Sequence, residues 1–273
     1  MVKKKHPGTE IIFLGRAYTK EVIRSCEYID SFLDWDEISR LDEKEALETF
    51  QSADADAIFH VFPRSAIARL AKKSKIPFRL GTTNRLYHWF TCNKLIKLSR
   101  RRSEHHEAQL NLLLIDKIIG KGLVSYEEIE GLYGLSKVRP AEKRFTDLID
   151  PGRKNIILHP KSKGSAREWG SENFNRLAEI LPADKYNLFI SGTEEEGKML
   201  VGSGIFDHHH VHNMTGKMNL AELLSFINIC DGLVAASTGP LHLAAALGKI
   251  AIGIYPPINP MHPGRWAPVG KNA

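Results

Sequence analysis

Apolar residues in this chain gather in short runs separated by stretches of helical spacing. The clearest run, residues 232–236 (Gly-Leu-Val-Ala-Ala), is continuously apolar, as suits a strand buried on both faces of a parallel sheet. Further strands are expected at 155–159, 187–191, 211–213 and 250–255, with helices between them at 171–181, 194–201, 220–230 and 241–247. Asn219, with Glu222 three residues on, reads as a capping box at the head of the third helix. The first half repeats the theme. Strands or extended pieces are expected at 10–14, 30–35, 57–61 and 77–81, and helices at 18–26, 42–51, 64–75, 104–119 and 123–135. Such alternation predicts an α/β fold with parallel sheets. A change of character near Pro151-Gly152 predicts a boundary between domains of residues 1–150 and 151–273.

Polar residues with binding chemistry cluster just after the predicted strands, where ligands sit in open α/β sheets. After 232–236 come Ser237, Thr238 and Gly239, then Pro240, suited to a first helical turn, and Gly248, suited to a helix end. A helix start exposes unpaired N–H groups and the positive end of its dipole, so it can receive a phosphate. Gly239 would let that ligand approach the backbone, and His242 could donate to the same anion. An ordinary capped helix would carry the same string.

The stretch from His159 to Trp169 gathers Ser162, Ser165 and Arg167 with Lys161, Lys163 and Gly164, a set suited to a diphosphate or to a solvated loop. Arg167 could form charge-assisted bonds worth about 1.5–3 kcal/mol there. Ser191-Gly192-Thr193 leads into Glu194, Glu195 and Glu196. A carboxylate at Glu195 or Glu196 could accept from both ribose hydroxyls, or could simply favour the helix dipole. Met214-Thr215-Gly216 could line a base or make a plain turn. His208, His209, His210 and His212 have no carboxylate or cysteine at matching spacing, so a loop is expected there and no metal. No Gly-Lys-Ser/Thr of a P-loop occurs, and Gly202-Ser203-Gly204 lacks the third glycine and preceding strand of a dinucleotide fingerprint.

Composition narrows the classes. With 273 residues, 42% of them hydrophobic, the chain can bury a sizeable core. No run approaches the roughly 18–20 uninterrupted apolar residues of a membrane span. The basic start has no apolar region after it, unlike a secretory signal. Cys26, Cys92 and Cys230 lie far apart with no Cys-x-x-Cys pair, which favours a reducing cytoplasm over a disulfide scaffold or zinc site. The net charge of +6 comes from one segment: residues 64–102 hold 12 Lys or Arg and no acid, while the remainder holds 26 basic against 32 acidic. That segment suits an anionic partner, and a solvated cationic face is the plain alternative. Tyr87, Trp89 and Phe90 among those cations would also suit nucleic acid, but no recognised RNA or DNA module accompanies them.

Several of these strings together resemble glycosyltransferase family 9, the heptosyltransferases of the lipopolysaccharide inner core. They are His159-Pro160 before Arg167-Glu168-Trp169, then Ser191-Gly192, then Thr215-Gly216 before Leu220-Ala221-Glu222-Leu223. The strongest runs from Ser237-Thr238-Gly239-Pro240-Leu241-His242 through Ala246-Leu247-Gly248. Residues 7–15 and His106-Glu107-Ala108-Gln109-Leu110-Asn111-Leu112 are similar too. The resemblance implies a GT-B fold, two Rossmann-like domains with parallel sheets facing across a cleft. Residues 1–150 would form the acceptor-side domain and 151–273 the nucleotide-sugar domain. It implies inverting transfer of a sugar, heptose by analogy, from ADP-heptose or another nucleoside diphosphate sugar to a lipopolysaccharide core acceptor. No cofactor is implied. The partners would be the nucleotide sugar and an anionic glycolipid, met in the cytoplasm or peripherally at the inner face of the membrane.

The family's phosphate-contacting residues fall on Thr238, Gly239 and His242, its basic residue on Arg167 in place of Lys, and its ribose-binding acid near Glu195 or Glu196. Ser237 stands where the family usually has Asp, a departure that bears on donor orientation or identity. The family's first strand and its Gly-Asp loop, with the catalytic base, would fall upstream of Met1, and its final helices beyond Ala273. A sugar-nucleotide-binding remnant without turnover is therefore the rival reading, and a basic nucleic-acid-binding protein the lesser one.

Overall fold

In the computed structural model, which describes residues 1–98, 100, 103–259 and 261–273, every strand pairing is parallel. The chain forms two compact units, one of Met1–Lys20 with Ile29–Ser125, the other of Glu21–Tyr28 with Tyr126–Ala273.

The first unit has two sheets. β1 (Ile12–Gly15) pairs β2 (Ser31–Asp34), and β3 (Ala57–Phe59), β4 (Phe78–Thr82) and β5 (Lys94–Ile96) lie in that order. Ile38, Ala46, Phe50, Ala71 and Ile76 form one core here, and Leu80, Leu98, Leu110 and Leu114 another. β5 has no counterpart in the sequence pattern, because Lys94-Leu95-Ile96 offers three residues among cations and no alternation to read. The helix expected at 123–135 covers only Tyr126–Glu130. Gly134 follows at φ +62, and a Cβ there would meet the Tyr28 ring at 2.4 Å, so the chain turns where close approach demands glycine.

The second unit holds β6 (Lys154–His159), β7 (Tyr186–Ile190), β8 (Val211–Asn213), β9 (Gly232–Ala236) and β10 (Ile250–Ile254) in the order β10-β9-β6-β7-β8. This is the doubly wound order, with its switch point between β6 and β9. Alternate residues of each central strand serve opposite cores. Ile157, Phe189, Leu233 and Ala235 pack with Phe226, Ile227, Leu241 and Ala244 from the helices Leu220–Ile229 and Gly239–Ala246. Leu158, Leu188, Ile190 and Val234 pack with Phe174, Ala178 and Leu200 from the helices Ser171–Ile180 and Glu194–Leu200. Each such buried large side chain contributes about 1.5–3 kcal/mol, which explains why these strands carry apolar residues on both faces.

Residues 126–150, expected with the first domain, pack with the second unit. Phe145 is buried in the core that holds Ile157 and Phe189, and Asn187 Nδ2 donates to Leu148 O at 2.9 Å. Residues 21–28 join them through the bonds Glu27 N to Gly134 O (2.8 Å) and Lys137 N to Ser25 O (3.0 Å).

Candidate functional site

The strand registers set four loops side by side. Leu158 of β6 lies opposite Ile190 of β7 and Val234 of β9, and Ile190 lies opposite Asn213 of β8. The polar strings that follow these strands therefore share the carboxyl edge of one sheet, at and beside its switch point.

After β6, the loop is organised by Glu168, whose carboxylate accepts from Lys161 Nζ at 2.6 Å, Ser162 N at 2.9 Å and Ser162 Oγ at 3.1 Å. Burial raises the Glu168 pKa, but these bonds outweigh it and leave the group below the ordinary carboxylate range. Lys163 (φ +49) and Gly164 (φ +77) form the centre of a tight turn closed by Ser165 N donating to Ser162 O at 3.0 Å. The hydroxyls of Ser162 and Ser165 are committed inside this loop, to Ala166 O and Glu168 and to Ser162 O respectively. Neither proton is left for a phosphate in this conformation. Arg167 is exposed and forms no ion pair among the described residues.

At the end of β7, Ser191 Oγ shares a hydrogen bond with His159 Nδ1 at 2.9 Å, tying β6 to β7. Burial depresses the His159 pKa against the opposing pull of Glu196, so its ring is neutral at neutral pH. Glu196 is buried and closes a capping box with Thr193, accepting from Thr193 N at 2.7 Å. Glu195 is exposed. It is held below the usual range by a bond to its own N–H and one to Thr193, aided by Lys163 and Lys198. Of the two acids expected near a ribose, Glu195 thus has its carboxylate outward and Glu196 has one oxygen spent on the helix start. After β8, Thr215 bonds Asn213 Oδ1 through both N (3.0 Å) and Oγ1 (2.7 Å). Gly216 N donates to Gly192 O at 3.0 Å, joining this turn to the one after β7. A Cβ on Gly197 would lie 2.1 Å from Thr215 Oγ1, so the contact between the two turns requires glycine there.

After β9, Thr238 is the N-cap of the helix Gly239–Ala246, yet its side chain makes no capping bond. Thr238 Oγ1 is buried and has no hydrogen-bond partner within the protein, a mismatch that costs about 1–3 kcal/mol for such a group. A Cβ on Gly239 would meet no atom within 4 Å, so the helix start is open rather than plugged. His242 lies half-buried one turn along. Ser237 bonds the hydroxyl of Tyr255, whose pKa burial pushes up to about 12 and which itself donates to Trp266 O at 2.6 Å.

The structure therefore brings Thr238, Gly239 and His242 together at one helix end, and Glu195, Glu196, Thr215 and Gly216 in the two joined turns. Glu168, the His159–Ser191 bond and the Ser237–Tyr255 bond were not legible as site features. Each joins residues whose pairing depends on loop shape or strand order rather than on spacing. Among the described residues no group of three His, Cys, Asp or Glu could hold a metal ion. His208 and His212 instead bond Asn175 and Asn187, at 2.8 and 2.9 Å.

In the first unit, the cationic segment spans the helix Ser65–Lys73, β4, the short helix His88–Thr91 and β5. Arg101 and Arg102, also counted in it, lie outside the described residues. Lys73 pairs with Glu43, and Arg79 Nε donates to Thr91 O at 2.9 Å, so part of the charge serves the fold.

The sequence model of glycosyltransferase family 9 (heptosyltransferase) matches residues 52–273. A candidate glycosyltransferase of Haemophilus influenzae is 25% identical over 277 residues, covering 98% of this chain and 80% of its own. The lipopolysaccharide core heptosyltransferase OpsX of the same organism is 28% identical over 121 residues, 43% of this chain and 35% of its own. Among solved structures, the Escherichia coli ADP-heptose lipopolysaccharide heptosyltransferase II has a TM-score of 0.74 at 16% identity, covering 100% of this chain and 82% of that one. At that identity the likeness is one of fold, and the expected GT-B class holds.

Proposed function

The chain belongs to glycosyltransferase family 9, and we propose that it transfers heptose from ADP-heptose to a hydroxyl of an anionic lipopolysaccharide core acceptor, with inversion. The observation that carries the donor half is the open helix start at Gly239 beside the buried, unmatched hydroxyl of Thr238. A nucleoside diphosphate set there would accept from the helix N–H groups and from Thr238, with His242 and Arg167 adding charge-assisted bonds. Glu195, on the neighbouring turn, would accept from the ribose hydroxyls, and Thr215 and Gly216 would line the base.

In the reaction the acceptor oxygen bonds to the anomeric carbon as the bond from that carbon to the diphosphate breaks. The acceptor proton leaves to a general base. The transition state is oxocarbenium-like, and negative charge grows on the departing diphosphate. Donors fixed at the helix start stabilise that charge where it develops. The cationic segment of the first unit would favour a phosphorylated acceptor. Among the described residues no helix is long and apolar enough to cross a membrane. Support for heptose as the sugar comes from relatives named as heptosyltransferases, so the test addresses sugar and turnover directly. Calorimetry with ADP should show binding, and ADP-heptose with a heptose-deficient core acceptor should give a heptosylated product. Binding without product would leave a sugar-nucleotide-binding remnant. No binding of ADP would overturn the donor assignment.

A further inference from the structure

Single exposed apolar residues are ordinary, but four of those in the first unit lie in the segments that leave two neighbouring strands. Phe62 is 75% exposed, Leu86 76%, Trp89 57% and Phe90 69%. Phe62 lies in the turn leaving β3, and the other three lie in the turn and short helix leaving β4, its parallel neighbour. The two segments are pinned together at their base. His60 N donates to Leu80 O at 3.1 Å, and the His60 ring stacks on that of His88 at 5.2 Å.

Cations ring the apolar tips. The Arg64 guanidinium lies over the Phe62 ring at 4.9 Å, and Lys72 Nζ, from the adjoining helix, donates to Phe90 O at 2.8 Å. Arg85 and Arg64 both act electrostatically on Tyr87, which follows Leu86 in the second segment. No acid occurs anywhere in residues 64–102. The only polar atom of the Trp89 ring, Nε1, donates to Thr83 O at 3.0 Å, which leaves hydrocarbon for any partner.

We infer that this edge docks on an anionic phospholipid bilayer, with Phe62, Leu86, Trp89 and Phe90 entering the interfacial layer and Arg64, Lys72 and Arg85 meeting lipid phosphates. Aromatic and aliphatic tips flanked by cations are what the headgroup region accepts, and neither feature alone would hold a protein there. Single-stranded nucleic acid is the poorer fit. Leu86 has no ring on which a base can stack, and Arg64 already covers one face of Phe62. The inference deepens the acceptor reading and rests on it for its purpose, since a lipid-carried acceptor would be met at the surface that holds it.

The test is flotation with vesicles of phosphatidylglycerol mixed with phosphatidylethanolamine, against vesicles of phosphatidylcholine alone. Binding should favour the anionic vesicles by roughly tenfold or more, weaken with salt, and fall by a similar factor in Leu86→Ser/Phe90→Ser and in Arg64→Glu/Arg85→Glu. Emission should shift to the blue on anionic vesicles, and Trp89→Phe should remove most of that shift. In Leu86→Ser/Phe90→Ser, ADP binding should be unchanged, which shows that the variant is folded and separates this result from any failure of the donor site. Equal flotation of parent and Leu86→Ser/Phe90→Ser would overturn the inference. So would retention on single-stranded RNA without flotation.

Discussion

The three-stranded sheet of the first unit and the five-stranded sheet of the second end in opposite ways. At the carboxyl edge of the second unit, side chains are bound to one another: Glu168 to Lys161 and Ser162, His159 to Ser191, and Thr215 to Asn213. The hydroxyl of Thr238 is the buried exception beside the open helix start. At the corresponding edge of the first unit, large apolar tips face outward, and two stacked imidazoles beneath them each keep a buried Nε2 without a partner. A preorganised polar edge suits a small, highly charged ligand, because its donors are fixed before the ligand arrives. An edge of exposed hydrocarbon flanked by cations suits an extended surface. The difference supports the proposal of a small ligand at the second unit and an extended surface at the first.

The largest effect that could break this comparison concerns the imidazole pair. Burial, and then the neighbouring His88, pushes the His60 pKa down to about 4. His88 is lowered too, chiefly by burial and further by Arg85, although its bond to the Thr82 backbone opposes the shift. Both rings are neutral in the fold, whereas a histidine in the unfolded chain takes up a proton near pH 6.5. The stability contributed by a depressed pKa is whole above the unfolded value and is lost as pH falls through the folded one. For His60 that loss is up to about 3 kcal/mol between roughly pH 6.5 and pH 4. His60→Phe preserves a ring against His88 and removes the titration, so urea unfolding across that range should show a shallower acid limb. An identical limb would mean that the buried pair does not distinguish the first unit.

What could be read in the sequence follows the same divide between local and distant causes. β9, the helix after it and the Asn219–Glu222 capping box are set by residues a few positions apart, and all three occur in the structure. The second capping box, Thr193 with Glu196, obeys the same spacing but is hidden among three consecutive glutamates, any of which could serve a ribose. Ser162 and Ser165 look like phosphate donors as letters. Only the folded loop, with Glu168 six residues away from Ser162, reveals that their protons are committed. The strand order β10-β9-β6-β7-β8, which brings the four loops together, depends on pairings across the whole unit that no single stretch encodes. The exposed tips of the first unit were legible as residues but not as a cluster, since β3 and β4 must pair before Phe62 and Phe90 share an edge.

A smaller effect sharpens the donor half of the comparison. Arg167 and Lys163 are the exposed cations of a loop whose third cation, Lys161, is spent on Glu168. Arg167→Ala should weaken ADP binding by about ten- to a hundredfold, the range of a charge-assisted bond, and His242→Ala by roughly tenfold. Calorimetry measures both. Unchanged affinity in both variants would remove the diphosphate from this edge and leave the second unit with no assigned ligand.

The smallest effect is also the most discriminating, because its two readouts move in opposite senses. Thr238→Val replaces a hydroxyl by a methyl at a position that is 5% exposed. If the hydroxyl served only to cap the helix, its loss would cost about 1 kcal/mol of stability and would leave ADP binding alone. The side chain makes no capping bond, however, and Oγ1 is unmatched within the protein. Removing an unmatched buried hydroxyl should leave stability unchanged or raise it by up to about 1 kcal/mol. ADP binding should meanwhile fall by several-fold to about tenfold, the worth of one neutral hydrogen bond. Urea unfolding and calorimetry on the same preparation give both numbers. A variant that is less stable and binds ADP as before would return the strand-turn-helix at residues 232–246 to the status of an ordinary capped helix.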